Sequence, residues 1–245
     1  MIIRRPIIPE YRDLLQQLSY FIWNGINSAD YGVYVERQPV IQSPTLRTQT
    51  ITIPGRSGSL TVSEDAYDTY TKTCECLLKT TDFLPAIAPW LKGNGDVIFS
   101  NERQFRQEAL IRNKIDLNKA FKMGFRRFLL QFECQPFKYE INPKPITITA
   151  PTTLKGNGNY YSEPIIRVNG AGNITITING KSFNLYTIAD YVIVNTKIIL
   201  AYRTLTQLMN NQMSGDFPTL LPKENVISWT GNVSSLIIEP NWRWI

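Results

Sequence analysis

From residue 31 onward, short runs of the chain place apolar side chains at every second position, and this period of two is what most constrains the fold. Tyr31-Gly-Val-Tyr-Val-Glu36, Thr48-Gln-Thr-Ile-Thr-Ile53 and Ser59-Leu-Thr-Val-Ser63 are rich in β-branched and aromatic residues and are separated by Pro, Gly and Ser. Alternation of this kind puts one face of a strand against a core and the other in water, as in half-buried antiparallel sheets. Asp96 to Ser100 runs through Asn101-Glu102 into Phe105 to Ile115, predicting a hairpin, and Phe125 to Phe137 reads as one further long strand. The sharpest local signal is Asn179-Gly180, which joins Ile174-Thr-Ile-Thr-Ile178 to Lys181-Ser-Phe-Asn-Leu185. Both residues of a type I′ turn need positive φ, which Asn-Gly tolerates. Strands are also expected over Tyr191–Asn195, Lys197–Tyr202, Asn225–Trp229 and Ser234–Glu239, at the spacing of an antiparallel sandwich.

Helical spacing is confined to two places. Tyr11, Leu14, Leu15 and Leu18 predict a short amphipathic helix behind a proline-rich start, and Leu84, Ile87, Ala88 and Leu91 predict a second between an Asp82 cap and a Gly93 stop, with Pro89 inside it. Pro143, Pro145 and Pro151, followed by Lys155-Gly-Asn-Gly-Asn159, mark a boundary. The 245 residues therefore divide into a lead-in over 1–20, a β-rich domain with one helix over 21–145 and an antiparallel β-sandwich over 146–245. The fold class is mainly β with minor α.

The chain contains no histidine. Ser/His/Asp and Cys/His nucleophilic sites and His-ligated zinc all need that side chain, so most hydrolase chemistry is excluded. Cys74, Cys76 and Cys134 are too few for a four-thiolate zinc centre and odd in number for a disulfide framework; they read as buried apolar side chains. Gly55-Arg-Ser-Gly58 lacks the ending of a phosphate loop and lies between strands, and Gly156-x-Gly158 lacks the strand and helix of a dinucleotide site. Glu64, Asp65 and Asp68 form a solvated group without the spacing of a calcium loop. No cofactor or metal, no catalytic residue and no membrane-spanning segment is expected, and no signal peptide is read at the start, so synthesis in the host cytoplasm is the expectation.

Charge is the one departure from an ordinary surface. The chain carries a formal +6, and Arg103, Arg106, Arg112, Lys114, Lys119, Lys122, Arg126 and Arg127 stand against Glu108 and Asp116 alone, so that whole excess falls between residues 103 and 127. Such a segment is either a solvated strand face that protects an edge or a docking surface for an acidic partner.

The order of several short segments then resembles a known family. Phe21-Ile-Trp-Asn-Gly25, Ser28-Ala-Asp-Tyr-Gly32 and Ile53-Pro-Gly-Arg-Ser-Gly-Ser-Leu60 look like the N-terminal half of the distal tail (Dit) proteins, the baseplate hubs of phages with long non-contractile tails. Tyr161-Ser-Glu-Pro-Ile-Ile166, Gly215-Asp-Phe-Pro-Thr-Leu220, Asn225-Val-Ile-Ser-Trp-Thr-Gly231 and Pro240-Asn-Trp-Arg243 look like that family's galectin-like C-terminal domain. The resemblance covers residues 21 to 245 and departs from the family at Lys223-Glu224, where a glycine is usual. It implies a virion protein at the tail tip that forms a homohexameric ring and catalyses nothing. The ring-forming N-terminal domains would join the tail tube protein on one face and a tail-associated protein on the other, with receptor-binding proteins at the periphery. Phage DNA would pass the channel without specific binding. The alternative is a carbohydrate-binding module that contacts the host surface through the galectin-like domain, with Trp229, Trp242 and Trp244 as the rings in question.

Overall fold

The computed structural model describes residues 19–79, 84–112, 114–116, 118–119 and 126–245. The helix expected over residues 10–18, Asp82 as a cap, and Lys122 fall outside them. The chain divides into two compact units, Met1–Lys138 and Tyr139–Ile245, a division placed ahead of the expected 145/146.

In the first unit the strands are β1 (Phe21–Trp23), β2 (Ile26–Asn27), β3 (Val33–Arg37), β4 (Leu46–Thr52), β5 (Ser59–Tyr67), β6 (Tyr70–Leu78), β7 (Gly93–Phe99), β8 (Phe105–Ile111), β9 (Asn118–Lys119) and β10 (Arg126–Glu140), the last running two residues past the division, with an α-helix, α1 (Leu84–Trp90), before β7. One sheet runs in the order β2-β1-β7-β8-β10-β6-β3, with β9 attached to β10, while β4 and β5 form a two-stranded sheet of their own. Period two is plain in β10, where Phe128, Leu130, Phe132 and Cys134 are buried and Arg127, Leu129, Gln131 and Gln135 are exposed. The buried face gathers an aromatic cluster: Phe132 lies edge-on to Phe21 and Phe99, each at 5.3 Å, and Trp23 lies 5.6 Å from Phe132. The helix is docked by reciprocal indole bonds. Trp23 Nε1 donates to the Trp90 carbonyl at 3.0 Å and Trp90 Nε1 to the Trp23 carbonyl at 3.3 Å, so both buried donors are satisfied and Pro89 is tolerated near the helix end.

The second unit continues with β11 (Ile146–Ile148), β12 (Thr152–Lys155), β13 (Ile165–Ile178), β14 (Lys181–Ile188), β15 (Tyr191–Asn195), β16 (Leu200–Thr204), β17 (Gln207–Leu208), β18 (Met213–Gly215), β19 (Glu224–Glu239) and β20 (Arg243–Trp244). Two long strands organise it. β13 and β19 pair from Ile165↔Glu239 to Ile178↔Ile227, with register shifts at Asn169/Gly170 and Ala171/Thr175. Before the shifts β13 also pairs with β15, and after them with β14, so one bent sheet supplies both layers around a single core. The sequence reads residues 225–229 and 234–239 as two strands; the structure joins them, because Gly231 at φ +96° bends β19 without ending its pairing. A Cβ there would lie 2.4 Å from the Asn173 carbonyl oxygen, so the bend requires glycine. The prolines that mark the expected boundary lie beside β11 and β12, each of which pairs only with β19 and so forms a sheet edge, where proline costs no ladder bond. Asn179 and Gly180 adopt φ 54° and 79°, as the expected turn demands.

A buried ionic group fastens the first unit. Glu102, in the turn after β7, accepts from Lys72 Nζ on β6 and Lys138 Nζ on β10, both at 2.5 Å, and the Lys72 side chain is 1% exposed with its ammonium 4.8 Å from the Phe99 ring centre. Burial alone would raise the Glu102 carboxyl; hydrogen bonds and charge from Lys138 and Lys72 outweigh it and hold the group below the ordinary glutamate range. Removing the carboxylate would strand two buried cations, so Glu102→Ala is expected to lower stability by about 3–5 kcal/mol in urea unfolding. A carboxyl lowered by folding contributes stability above its unfolded pKa of about 4.3 and loses it as pH falls through the folded value, so Glu102→Gln should show a shallower acid limb than wild type; an unchanged limb would contradict this.

Candidate interaction surfaces

The basic segment singled out in the sequence is spread along β8, β9, β10 and their turns. Arg103 Nε donates to the Ser100 carbonyl at 3.0 Å, and its guanidinium stands 5.4 Å from the centre of the Tyr20 ring. Arg106 lies 3.1 Å from Asp96 and 3.9 Å from Glu108; Arg112 lies 3.4 Å from Glu133; Lys114 lies 2.8 Å from Asp116; Arg127 lies 2.7 Å from Glu36. Arg126 is half-buried on β10, opposite Leu78 on one side and Lys119 on the other, while the Lys119 side chain and all of Lys122 lie outside the described residues. The sequence window holds two carboxylates, but the sheet brings Glu36, Asp96 and Glu133 to these cations from β3, β7 and from farther along β10. Strand pairing of residues distant in sequence is invisible to a charge count along the chain.

Such pairs are solvent-exposed and each is worth about 0–1 kcal/mol. Arg112→Ala and Arg127→Ala are therefore each expected to change unfolding free energy by less than about 1 kcal/mol; a larger loss would show that these side chains support the fold rather than a surface.

A second surface was not anticipated as a site. In the β4–β5 hairpin, Ile51 is opposite Leu60 and Gln49 opposite Val62, which places Ile51, Leu60 and Val62 on one face; Thr48 opposite Ser63, Thr50 opposite Thr61 and Thr52 opposite Ser59 place six hydroxyl side chains on the other. The aliphatic face is partly exposed: Ile51, Leu60 and Val62 are 42–45% exposed, with Ile53 at 38% just beyond β4. At the hairpin base Arg47 lies between Asp68 at 2.9 Å and Glu64 at 3.7 Å, so the acidic group noted in the sequence serves as its local counter-charge. The alternation that reveals the strands also carries this amphipathy, but sequence alone does not say that the apolar face stays partly exposed.

The tryptophans considered for sugar binding serve the core of the second unit: Trp242 is buried, and Trp229 and Trp244 are half-buried against it. Cys74, Cys76 and Cys134 are free and buried. Burial pushes the Cys74 and Cys134 thiols up to about 12 and Cys76 well above its ordinary value. Among the described residues no group of three potential ligands is placed to hold a metal ion, and no helix is long and apolar enough to cross a membrane. None of the three thiols should react with Ellman's reagent until the protein is unfolded; a thiol titrated in the native state would contradict the burial.

No protein-family model and no curated protein matches the chain. Among solved structures, the SPP1 Dit (gp 19.1) protein, described as a paradigm of the hub adsorption apparatus in phages that infect Gram-positive bacteria, aligns with a TM-score of 0.72 at 16% identity, over 94% of this chain and 100% of that one. The phage P2 baseplate in its activated conformation with calcium aligns at 0.49 and 9% identity, over 90% and 97%. The Dit resemblance read from the order of the sequence segments is thus matched in three dimensions: this chain shares the fold of the SPP1 Dit protein over that protein's whole length.

Proposed function

We propose that the chain is a structural component of a phage tail baseplate: a hub that closes into a homohexameric ring at the distal end of the tail. The ring joins the tail tube protein to the tail-tip and host-adsorption proteins and leaves a channel for DNA, and it catalyses nothing. The observation that carries this reading is the full-length correspondence with the SPP1 Dit protein. A physical feature supports self-association. Hydrophobic side chains directly opposite one another on a two-stranded ribbon are stable only when something covers them, and a neighbouring copy in a closed ring covers every hairpin equally.

The same reading constrains the basic segment. A conduit lined by several cations from each of six subunits would retain DNA through counterion release, so Arg103 to Arg127 face a neighbouring subunit or the next component of the tail rather than the channel. The second unit is read as the galectin-like domain at the periphery.

The test is light scattering on the purified chain with its phage's own tail-tube and tail-tip proteins present. After the mass of the bound partners is subtracted, wild type is expected to contribute six times the subunit mass. The triple variant Ile51→Ser, Leu60→Ser, Val62→Ser should remain monomeric while losing little stability, since these side chains are exposed in the single chain. A wild-type monomer under these conditions, or full assembly of the variant, would overturn the reading.

A further inference from the structure

A small cavity in the second unit is built as a receptacle and the proposed ring makes no use of it. Its volume is about 160 Å³. Ile178 and Phe183, from the two sides of the Asn179-Gly180 hairpin, supply one wall, and Phe217, Pro218 and Leu221 supply much of the rest. Ile178 and Phe183 are fully buried and Phe217 half-buried, whereas Leu221 is 45% exposed. A dry apolar cavity of about 150 Å³ accepts a benzene ring, so this volume fits one aromatic or leucine-sized side chain and little more.

The walls are held rigidly from both sides. β18 pairs Gly215 with Phe183, and a Cβ on Gly215 would stand 2.8 Å from the Ser182 carbonyl oxygen, so only glycine lets the chain leave the strand so close to the hairpin. Thr196 Oγ1 donates to the Pro218 carbonyl at 2.8 Å, and Leu220 exchanges backbone bonds with Ser162 at 2.8 and 3.0 Å. Asn225, wholly buried, accepts from the Leu221 amide at 2.7 Å, donates to the Leu221 carbonyl at 3.0 Å, and accepts from Asn179 Nδ2 at 2.9 Å. A receptacle whose walls are already fixed pays little ordering cost on binding.

Charge at the rim selects the occupant. Lys181 and Asp216 both line the cavity and both are exposed, and neither forms an ion pair among the described residues. An apolar group alone would leave these two opposite charges unused. A peptide with one bulky apolar side chain between an acidic and a basic residue satisfies all three features.

We propose that this cavity is the docking socket for an extended segment of a partner protein, which inserts one aromatic or leucine-sized side chain between Phe183, Phe217 and Leu221 and sets its flanking charges against Lys181 and Asp216. The socket is independent of ring closure. Its lining comes from Ile178 to Phe183 and from Asp216 to Leu221, whereas the hairpin proposed to build the ring spans Leu46 to Tyr67.

The test uses the full chain with methyl-labelled isoleucine and leucine, titrated with acetylated, amidated tripeptides Glu-Phe-Lys, Lys-Phe-Glu and Glu-Ala-Lys, and separately with methyl β-glucoside. The phenylalanine peptides should shift the Ile178 and Leu221 methyl signals saturably, at least about tenfold more tightly than the alanine peptide, and one charge order should bind better than the other. In the Lys181→Glu, Asp216→Lys double variant, which alters only exposed positions, that preference should reverse. Absence of a phenylalanine-dependent shift, indifference to charge order in both proteins, or a shift produced by the glucoside instead would each overturn the proposal.

Discussion

Every strand that alternates must hide one face, and the whole structure follows from where each sheet finds cover. In the first unit the cover is mutual: the buried faces of β6, β8 and β10 meet the aromatic residues of β1 and helix α1, and the indoles of Trp23 and Trp90 lock that contact by trading hydrogen bonds. In the second unit the bent pair β13 and β19 lets one sheet cover itself. The β4–β5 hairpin keeps part of its aliphatic face at the surface, with Ile51, Leu60 and Val62 42–45% exposed. Aliphatic side chains gathered on one face of a two-stranded ribbon are the feature from which the proposed self-association is argued.

Much of this was legible in the sequence, and what was missed follows a pattern. Local signals worked: the alternation in Phe125 to Phe137 became β10, and Asn179-Gly180 became the tight turn its backbone preference requires. Features that depend on distant residues did not show. Lys72, Glu102 and Lys138 are three unremarkable charges along the chain and one largely buried ionic group in the fold, because adjacent strands and a turn bring them together. Residues 225–229 and 234–239 read as two strands, but in the long paired ribbon Gly231 permits a bend instead of a break. The proline-rich stretch around residue 145 reads as a boundary, and its prolines stand beside the edge strands β11 and β12.

The electrostatic picture carries the same lesson. An apparent concentration of positive charge over residues 103–127 is met by carboxylates on neighbouring strands, so its field is weaker and more local than the linear count suggests. That suits a surface which must dock in register more than one which must grip a polyanion. By contrast, the buried pairing of two ammonium groups with Glu102 serves the interior: it costs desolvation and returns a fixed turn between β7 and β8.

Cryo-electron microscopy of the assembled tail tip tests the central claim most directly. The account predicts six copies around an open channel, with the Ile51, Leu60 and Val62 face of each hairpin packed against the adjacent copy. A particle in which those hairpins project into solvent, or in which the chain is present singly, would contradict it.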